Sequence, residues 1–550
     1  MGTIYLCIVI FLLCLAVFDL FVGVSNDAVN FLQSAIGAKV AKFRTVLIIA
    51  PCGVVLGAIM SSGMMDIARH GIMSPDRFTF EEVMTLFLAV MVTDVIVLDV
   101  FNTLGMPTST TVSLVFELLG GAFILATLKM IGDDSLNYGM LLNSNKALEV
   151  IMGIFSSVII AFVFGAFVMW LSRVVFTFNY RKHSRYSIAI FGGIAFTALS
   201  YFIFMKGLGK SPYLPAEWRD FIDQNIGSLL CATFVVSAIV MEFLHLCRVN
   251  IFKFTVLMGT FALAMAFAGN DLVNFIGVPL AGLDSYNDYM ANANGVGPDS
   301  FMMTSLMESA KTTPVYLLAA GFVMIVAMAT SKKAQNVIKT SVDLSRQDEG
   351  DEMFGSSSAA RVIVRNCQSA DSWLNRFMPK SLKQWINSRF DKNDVELEES
   401  AAFDVVRAAV NLVLASMLIT IGTNLKLPLS TTYVTFMVAM GSSLADKAWS
   451  RESAVFRVTG VLSVIGGWFI TAGVAFAACA LVCLAMHFGG ILVQTAFIVL
   501  VIFMLIRSNI RYNKKSKEES KGSTFQLMMR SHDPEIVWDL LRRHVSRTQS

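Results

Sequence analysis

The chain has 550 residues, of which 55% are hydrophobic and only 15% charged, with a mean hydropathy of +0.65. Soluble domains carry about 25% charged residues, so the composition excludes one large soluble helical domain, which would need several hundred residues without polar faces. Net charge is only +3, but basic residues cluster in Lys39–Arg44, Arg173–Arg185 and Arg507–Lys521, a placement that suggests cytoplasmic loops.

In chain order, apolar segments fall at 4–22, 45–63, 84–104, 108–130, 150–177, 187–206, 226–246, 251–268, 302–330, 402–424, 429–444, 456–485 and 488–506. Ile151–Trp170, Ser187–Phe204 and Val461–Ala485 are nearly free of charge and long enough to cross a bilayer as helix. Only helices or closed barrels satisfy the backbone in lipid. The expected fold is therefore an all-α polytopic membrane protein with about twelve transmembrane or half-spanning helices. The N-terminus lacks a basic leader and a small-residue cleavage site, so it reads as a retained first helix. Eight scattered cysteines form no CxxC pair, and the six histidines show no metal-ligand spacing. No nucleic-acid partner is expected.

Two stretches put polar groups where a bilayer should be. Asn26-Asp27-x-x-Asn30 lies near the start, and Asn270-Asp271-x-x-Asn274 ends a later apolar run. Each is followed by a phenylalanine, Phe31 and Phe275, and by a short half-segment, 26–37 and 270–283. On a helix the three polar residues of each copy share a face. An ionised carboxylate in hydrocarbon is costly unless paired or solvated, which marks both sites as functional candidates.

A second motif is also duplicated. Pro107-x-Ser109-Thr110-Thr111 is matched by Pro428-x-Ser430-Thr431-Thr432. Proline and glycine interrupt the helix there. The hydroxyls then sit on the first turn of the next helix, with unpaired N–H groups and the positive dipole end, a neutral anion site. Ordinary N-capping by serine is the simpler reading of either copy alone.

From Asp27 to Thr110 is 83 residues and from Asp271 to Thr431 is 160. The excess of 77 approximates one polar insertion, about Ser331–Ser400. Without it the two halves have the same layout, the mark of a secondary transporter with its site at the repeat interface. Neither motif holds Lys or Arg, so two aspartates beside an anion site would repel the anion. A cation arriving with the substrate removes the conflict. Oxygen ligands from Asp27, Asn30, Asp271 and Asn274 suit a hard cation, and such linkage is reciprocal.

These four motifs, in halves split by a hydrophilic loop, resemble the inorganic phosphate transporter (PiT) family over about 1–330 and 400–506. The resemblance implies cation-coupled phosphate import across the cell membrane by alternating access. It also implies two inverted-topology repeats, two re-entrant helical hairpins and an often dimeric assembly. Carried over, Asn26, Asp27, Asn30, Asn270, Asp271 and Asn274 belong to the substrate and cation sites, while Ser109, Thr110, Thr111, Ser430, Thr431 and Thr432 grip phosphate. The chain departs from the family at Val112 and Tyr433, where histidine is usual, at Ser25, where a small Gly or Ala is usual, and in the extra acids Asp94, Asp99 and Glu117. Asp19 and Glu242 are further acids in apolar segments, fit either for cation passage or for pairing inside the bundle.

The sequence thus predicts a first transmembrane repeat over 1–250, the start of the second over 251–330, a cytoplasmic loop over 331–400, the rest of the second over 401–506 and a tail over 507–550. One amphipathic helix is expected within Ala370–Phe390 and one over Glu535–His544. Na⁺ is favoured over H⁺ as coupling ion because the motif histidines are missing. No resident cofactor is expected. Sulfate is the runner-up substrate. A channel would need a continuous polar stripe, and an enzyme a nucleophile–base pair; neither pattern is present.

Overall fold

A computed structural model of the chain describes residues 2–104, 108–179, 185–201, 215–310, 312–330, 357–358, 360–362, 364–366, 379–390, 401–446 and 451–530. The principal helices are α1 (Gly2–Asp27), α2 (Val29–Gly37), α3 (Phe43–Met60), α4 (Phe80–Leu104), α5 (Thr110–Gly132), α6 (Tyr138–Leu141), α7 (Ser144–Phe176) and α8 (Arg185–Ser200). They continue with α9 (Ala216–Gln224), α10 (Ile226–Leu246), α11 (Ile251–Asn292), α12 (Pro314–Thr330), α13 (Lys380–Arg389), α14 (Val405–Asn424), α15 (Thr431–Ala445) and α16 (Arg451–Arg530). Isolated bridges pair Met73 with Leu142 and Thr79 with Met302; no longer strand is present among the described residues. Nine helices among those residues are long and apolar enough to cross a membrane, and two shorter apolar ones cover Ser187–Ser200 and Pro314–Thr330.

Short polar side chains start these helices where the apolar runs begin. Asn143, Asn250 and Asp404 accept hydrogen bonds from the N–H groups of Lys146, Lys253 and Arg407, capping α7, α11 and α14. Helix α11 is central. Every residue from Ala262 to Gly282 is buried, as expected of a helix that is apolar all round. It packs against α3, α14 and α1. Gly53 and Gly57 allow the approach of α3: a Cβ at Gly53 would lie 2.3 Å from the Phe261 carbonyl oxygen, and one at Gly57 2.1 Å from that of Met265. Such small-x-x-x-small faces let backbones meet where lipid offers no hydrophobic drive. Gly120 and Gly441 meet the carbonyls of Phe476 and Phe162 at 2.2 Å in the same way. Gly57→Val should therefore force α3 away from α11 and cost at least ~1–3 kcal/mol, read as a lower thermal midpoint in detergent; an unchanged midpoint would refute the packing argument.

Three differences from the sequence expectations stand out. The second motif opens no half-segment, because α11 runs unbroken from Ile251 to Asn292 through Asp271 and Pro279. The first copy has only a turn at Ala28, whose φ of −57° and ψ of −24° stay helical. The run expected at 302–330 becomes α-helix only at Pro314, after a single 3₁₀ turn at Thr304–Met307.

Arg173 is not a loop charge. It lies fully buried in the last turn of α7 and binds two aspartates. Its Nη1 and Nη2 donate to Asp404 at 2.7 and 3.1 Å, and its Nε and Nη2 donate to Asp446 at 2.7 and 2.8 Å. The cluster joins the ends of α7, α14 and α15.

Helix α13 falls within the expected 370–390 segment. Most of the 331–400 insertion lies outside the described residues, as does the helix expected over 535–544. Phe488–Ser550 forms a separate unit from Met1–His487. Its described part is helical as far as Arg530, and Gly490, at φ 54°, marks the break within α16.

Candidate substrate and cation site

The two Asn-Asp copies and the two Ser-Thr-Thr copies meet in the interior of the first unit. Asp27 lies at the end of α1 and Asp271 in the middle of α11, each 1% exposed. Ser109 ends an extended stretch and opens α5; Ser430 does the same for α15. Each serine hydroxyl caps its own helix, accepting from the N–H of Val112 at 3.4 Å and of Tyr433 at 3.2 Å. Both serines thus make the capping bond that the simpler reading expects.

The threonines reach across. The Thr110 hydroxyl donates to Asp27 Oδ2 at 3.3 Å and that of Thr432 to Asp27 Oδ1 at 3.2 Å. The Thr111 hydroxyl donates to Asp271 Oδ1 at 2.7 Å and that of Thr431 to Asp271 Oδ2 at 2.6 Å. Each aspartate is thus held by one threonine from each copy, and neighbouring threonines serve opposite aspartates.

The asparagines complete the frame. Asn30 donates to Thr432 Oγ1 at 3.0 Å and accepts from Thr435 at 3.1 Å. Asn274 donates to Thr111 Oγ1 and to Asp271 Oδ1, both at 2.9 Å. Its own Oδ1 is buried and meets no donor. Asn270 joins the cradle to the backbone, donating to Asp271 Oδ1 at 3.2 Å and to the Leu429 carbonyl at 2.5 Å and accepting from the Leu429 N–H at 3.4 Å. The side chain of Asn26 lies outside the described residues, as do Gly105 and Pro107.

The connection between α14 and α15 is shaped by Lys426. Its φ of 55° lets the Leu427 N–H turn back to the Gly422 carbonyl at 2.9 Å, a left-handed closure of the helix end. Leu427–Ser430 is then extended and delivers Thr431 to Asp271.

Thr435 and Thr423, the latter donating to Asn270 at 3.3 Å, were not singled out from sequence. Thr435 lies one turn beyond Thr431, so the helical period carries that signal.

The cradle is electrostatically one-sided. Two buried carboxylates are bound by hydroxyls and amides, and none of these hydrogen bonds comes from Lys or Arg. At the start of α5 and α15, the N–H groups of Thr110, Thr111, Thr431 and Thr432 precede any intrahelical acceptor. No cluster of three or more His, Cys, Asp or Glu side chains is placed to hold a metal ion among the described residues.

A bundle of apolar helices around a buried cage of carboxylates, hydroxyls and amides defines a multi-pass membrane protein with its polar site inside. The sequence model of the phosphate transporter family matches residues 23–341, more than half of the chain, and the chain belongs to that family. It is accordingly a transporter and not an enzyme. No curated protein matches it. Among solved structures it is similar to one described as "the sodium-dependent phosphate transporter", with 17% identity over 88% of this chain and 99% of that chain and a TM-score of 0.59, a likeness of fold.

Proposed function

We propose that this protein imports inorganic phosphate by alternating access, coupled to Na⁺, across the cell membrane. The carrying observation is the crossed set of threonine bonds, through which each buried aspartate is held by both Ser-Thr-Thr segments. Two buried carboxylates repel an entering polyanion at low dielectric. Cations at Asp27 with Asn30, and at Asp271 with Asn274, remove that repulsion. The unpartnered Oδ1 of Asn274 supplies an oxygen that a hard cation would take. Phosphate then accepts from the first-turn N–H groups of α5 and α15, and the threonine hydroxyls can turn from carboxylate to phosphate as it binds. On this reading α4–α5 and α14–α15 are re-entrant hairpins of two inverted halves. The sodium dependence named for the structural neighbour supports the choice of ion.

The test is uptake of labelled phosphate into proteoliposomes holding the full chain. An inward Na⁺ gradient should drive saturable uptake at least tenfold above a K⁺ gradient, and excess sulfate should not compete. Uptake indifferent to Na⁺ would reject the coupling ion, and displacement by sulfate would reject the substrate.

A further inference from the structure

Three acids outside the cradle are buried together. Asp19 on α1, Asp94 on α4 and Glu117 on α5 are 1%, 3% and 0% exposed. Asp19 precedes Asp27 by eight residues, and Glu117 follows Thr110 by seven. At 1.5 Å per residue both helices carry the cluster roughly 10–12 Å from the cradle, on two of the helices that build it.

The carboxyl groups of Asp19 and Asp94 are in hydrogen-bond contact with each other. Two ionised carboxylates have no hydrogen to share. Asp19 Oδ2 and Asp94 Oδ1 are nevertheless both buried and meet no donor. Ser113 supplies one hydrogen to this region, directed to Glu117 Oε1 at 2.7 Å, while Glu117 Oε2 also meets no donor.

The groups facing the pair add no positive charge. Asp27, Glu117 and Asp94 act on Asp19, Asp19 and Ser113 contact Asp94, and Cys479 faces Glu117. No ion pair with Lys, Arg or His reaches any of the three acids among the described residues. The acids are not arranged as a cluster able to hold a metal ion.

We infer that Asp19 and Asp94 share one proton in a carboxylic acid–carboxylate hydrogen bond, a proton site separate from the cradle that ties α1 to the α4–α5 pair. The proton removes one of the buried charges and supplies a hydrogen for the contact between the two carboxyl groups. The site holds only while α1 and α4 stay in register. On the transport reading above, a movement of α4–α5 against α1 parts the carboxyls, so protonation favours the arrangement seen here, and the linkage works in both directions.

Infrared difference spectra of the full chain in lipid nanodiscs test this without any transport assay. At constant NaCl, a pH titration of the wild-type protein should show a carboxylic-acid C=O band that alkali removes. Asp94→Asn, whose amide can replace the shared hydrogen, should lack the band while remaining folded; Asp19→Asn gives a second route to the same result. Glu117→Gln should keep the band. A band equally present in both aspartate variants would overturn the proposal, as would a band in wild type that Na⁺ removes at fixed pH. In proteoliposomes driven by a fixed Na⁺ gradient, the ratio of Asp94→Asn to wild-type uptake should change severalfold across the pH range that removes the band, and a constant ratio would overturn the link to transport. Absence of phosphate uptake by the wild-type protein would strike the transport reading alone and leave the infrared result standing.

Discussion

Replacing Asp271 by asparagine should abolish Na⁺-driven phosphate uptake while the chain still folds. Four side chains donate to this carboxylate: Thr111 at 2.7 Å, Thr431 at 2.6 Å, Asn274 at 2.9 Å and Asn270 at 3.2 Å. Asparagine keeps the shape and one accepting oxygen, but turns an amide against the remaining donors. Hydrogen bonds to a charged group contribute about 1.5–3 kcal/mol each, and the cation loses its counter-charge as well. Losing two such bonds gives about 3–6 kcal/mol, or at least ~10²-fold at 1.4 kcal/mol per decade. Uptake should fall by that factor, and calorimetric Na⁺ binding should weaken in parallel. Thr435→Ala, which removes one bond to Asn30, should cost about tenfold or less. Normal uptake by Asp271→Asn would refute the cation assignment.

The second large effect is on stability. Arg173→Met should destabilise the protein by about 3–5 kcal/mol, the usual cost of removing one partner from a buried ion cluster. Asp404 and Asp446 are 3% and 0% exposed, and without the guanidinium their charges are left in the bundle. The thermal midpoint in detergent should drop sharply. Adding Asp404→Asn and Asp446→Asn should recover part of the loss, because the uncompensated charges then disappear; a double-mutant cycle measures the coupling. A triple variant no more stable than Arg173→Met would show that packing, not charge, holds the three helix ends together.

Much of this was legible in the chain. Apolar length gave the helices, and the spacing of two duplicated motifs pointed to their meeting. Ser109 and Ser430 behave as the simplest reading of a serine before an apolar run requires. Other features were hidden for identifiable reasons. Helix α11 does not open at Asn270-Asp271, since α5, α15 and the Leu429 backbone satisfy those side chains and the helix has no need to free its own groups. Arg173 looked like one of a basic group because its partners lie 231 and 273 residues away, beyond any local pattern. Gly53 and Gly57 drew no notice, as what they accommodate is the backbone of another helix.

The crossed threonines have a consequence for fidelity. Thr110 and Thr111 are consecutive, as are Thr431 and Thr432, yet each pair splits its bonds between the two acids. Neither segment can withdraw from one acid without tugging on the other, so the two are released together or not at all. On the proposed reading, a carrier wired in this manner would resist slippage: an ion would have no private exit, and the driving gradient would not be dissipated in turns that move no cargo.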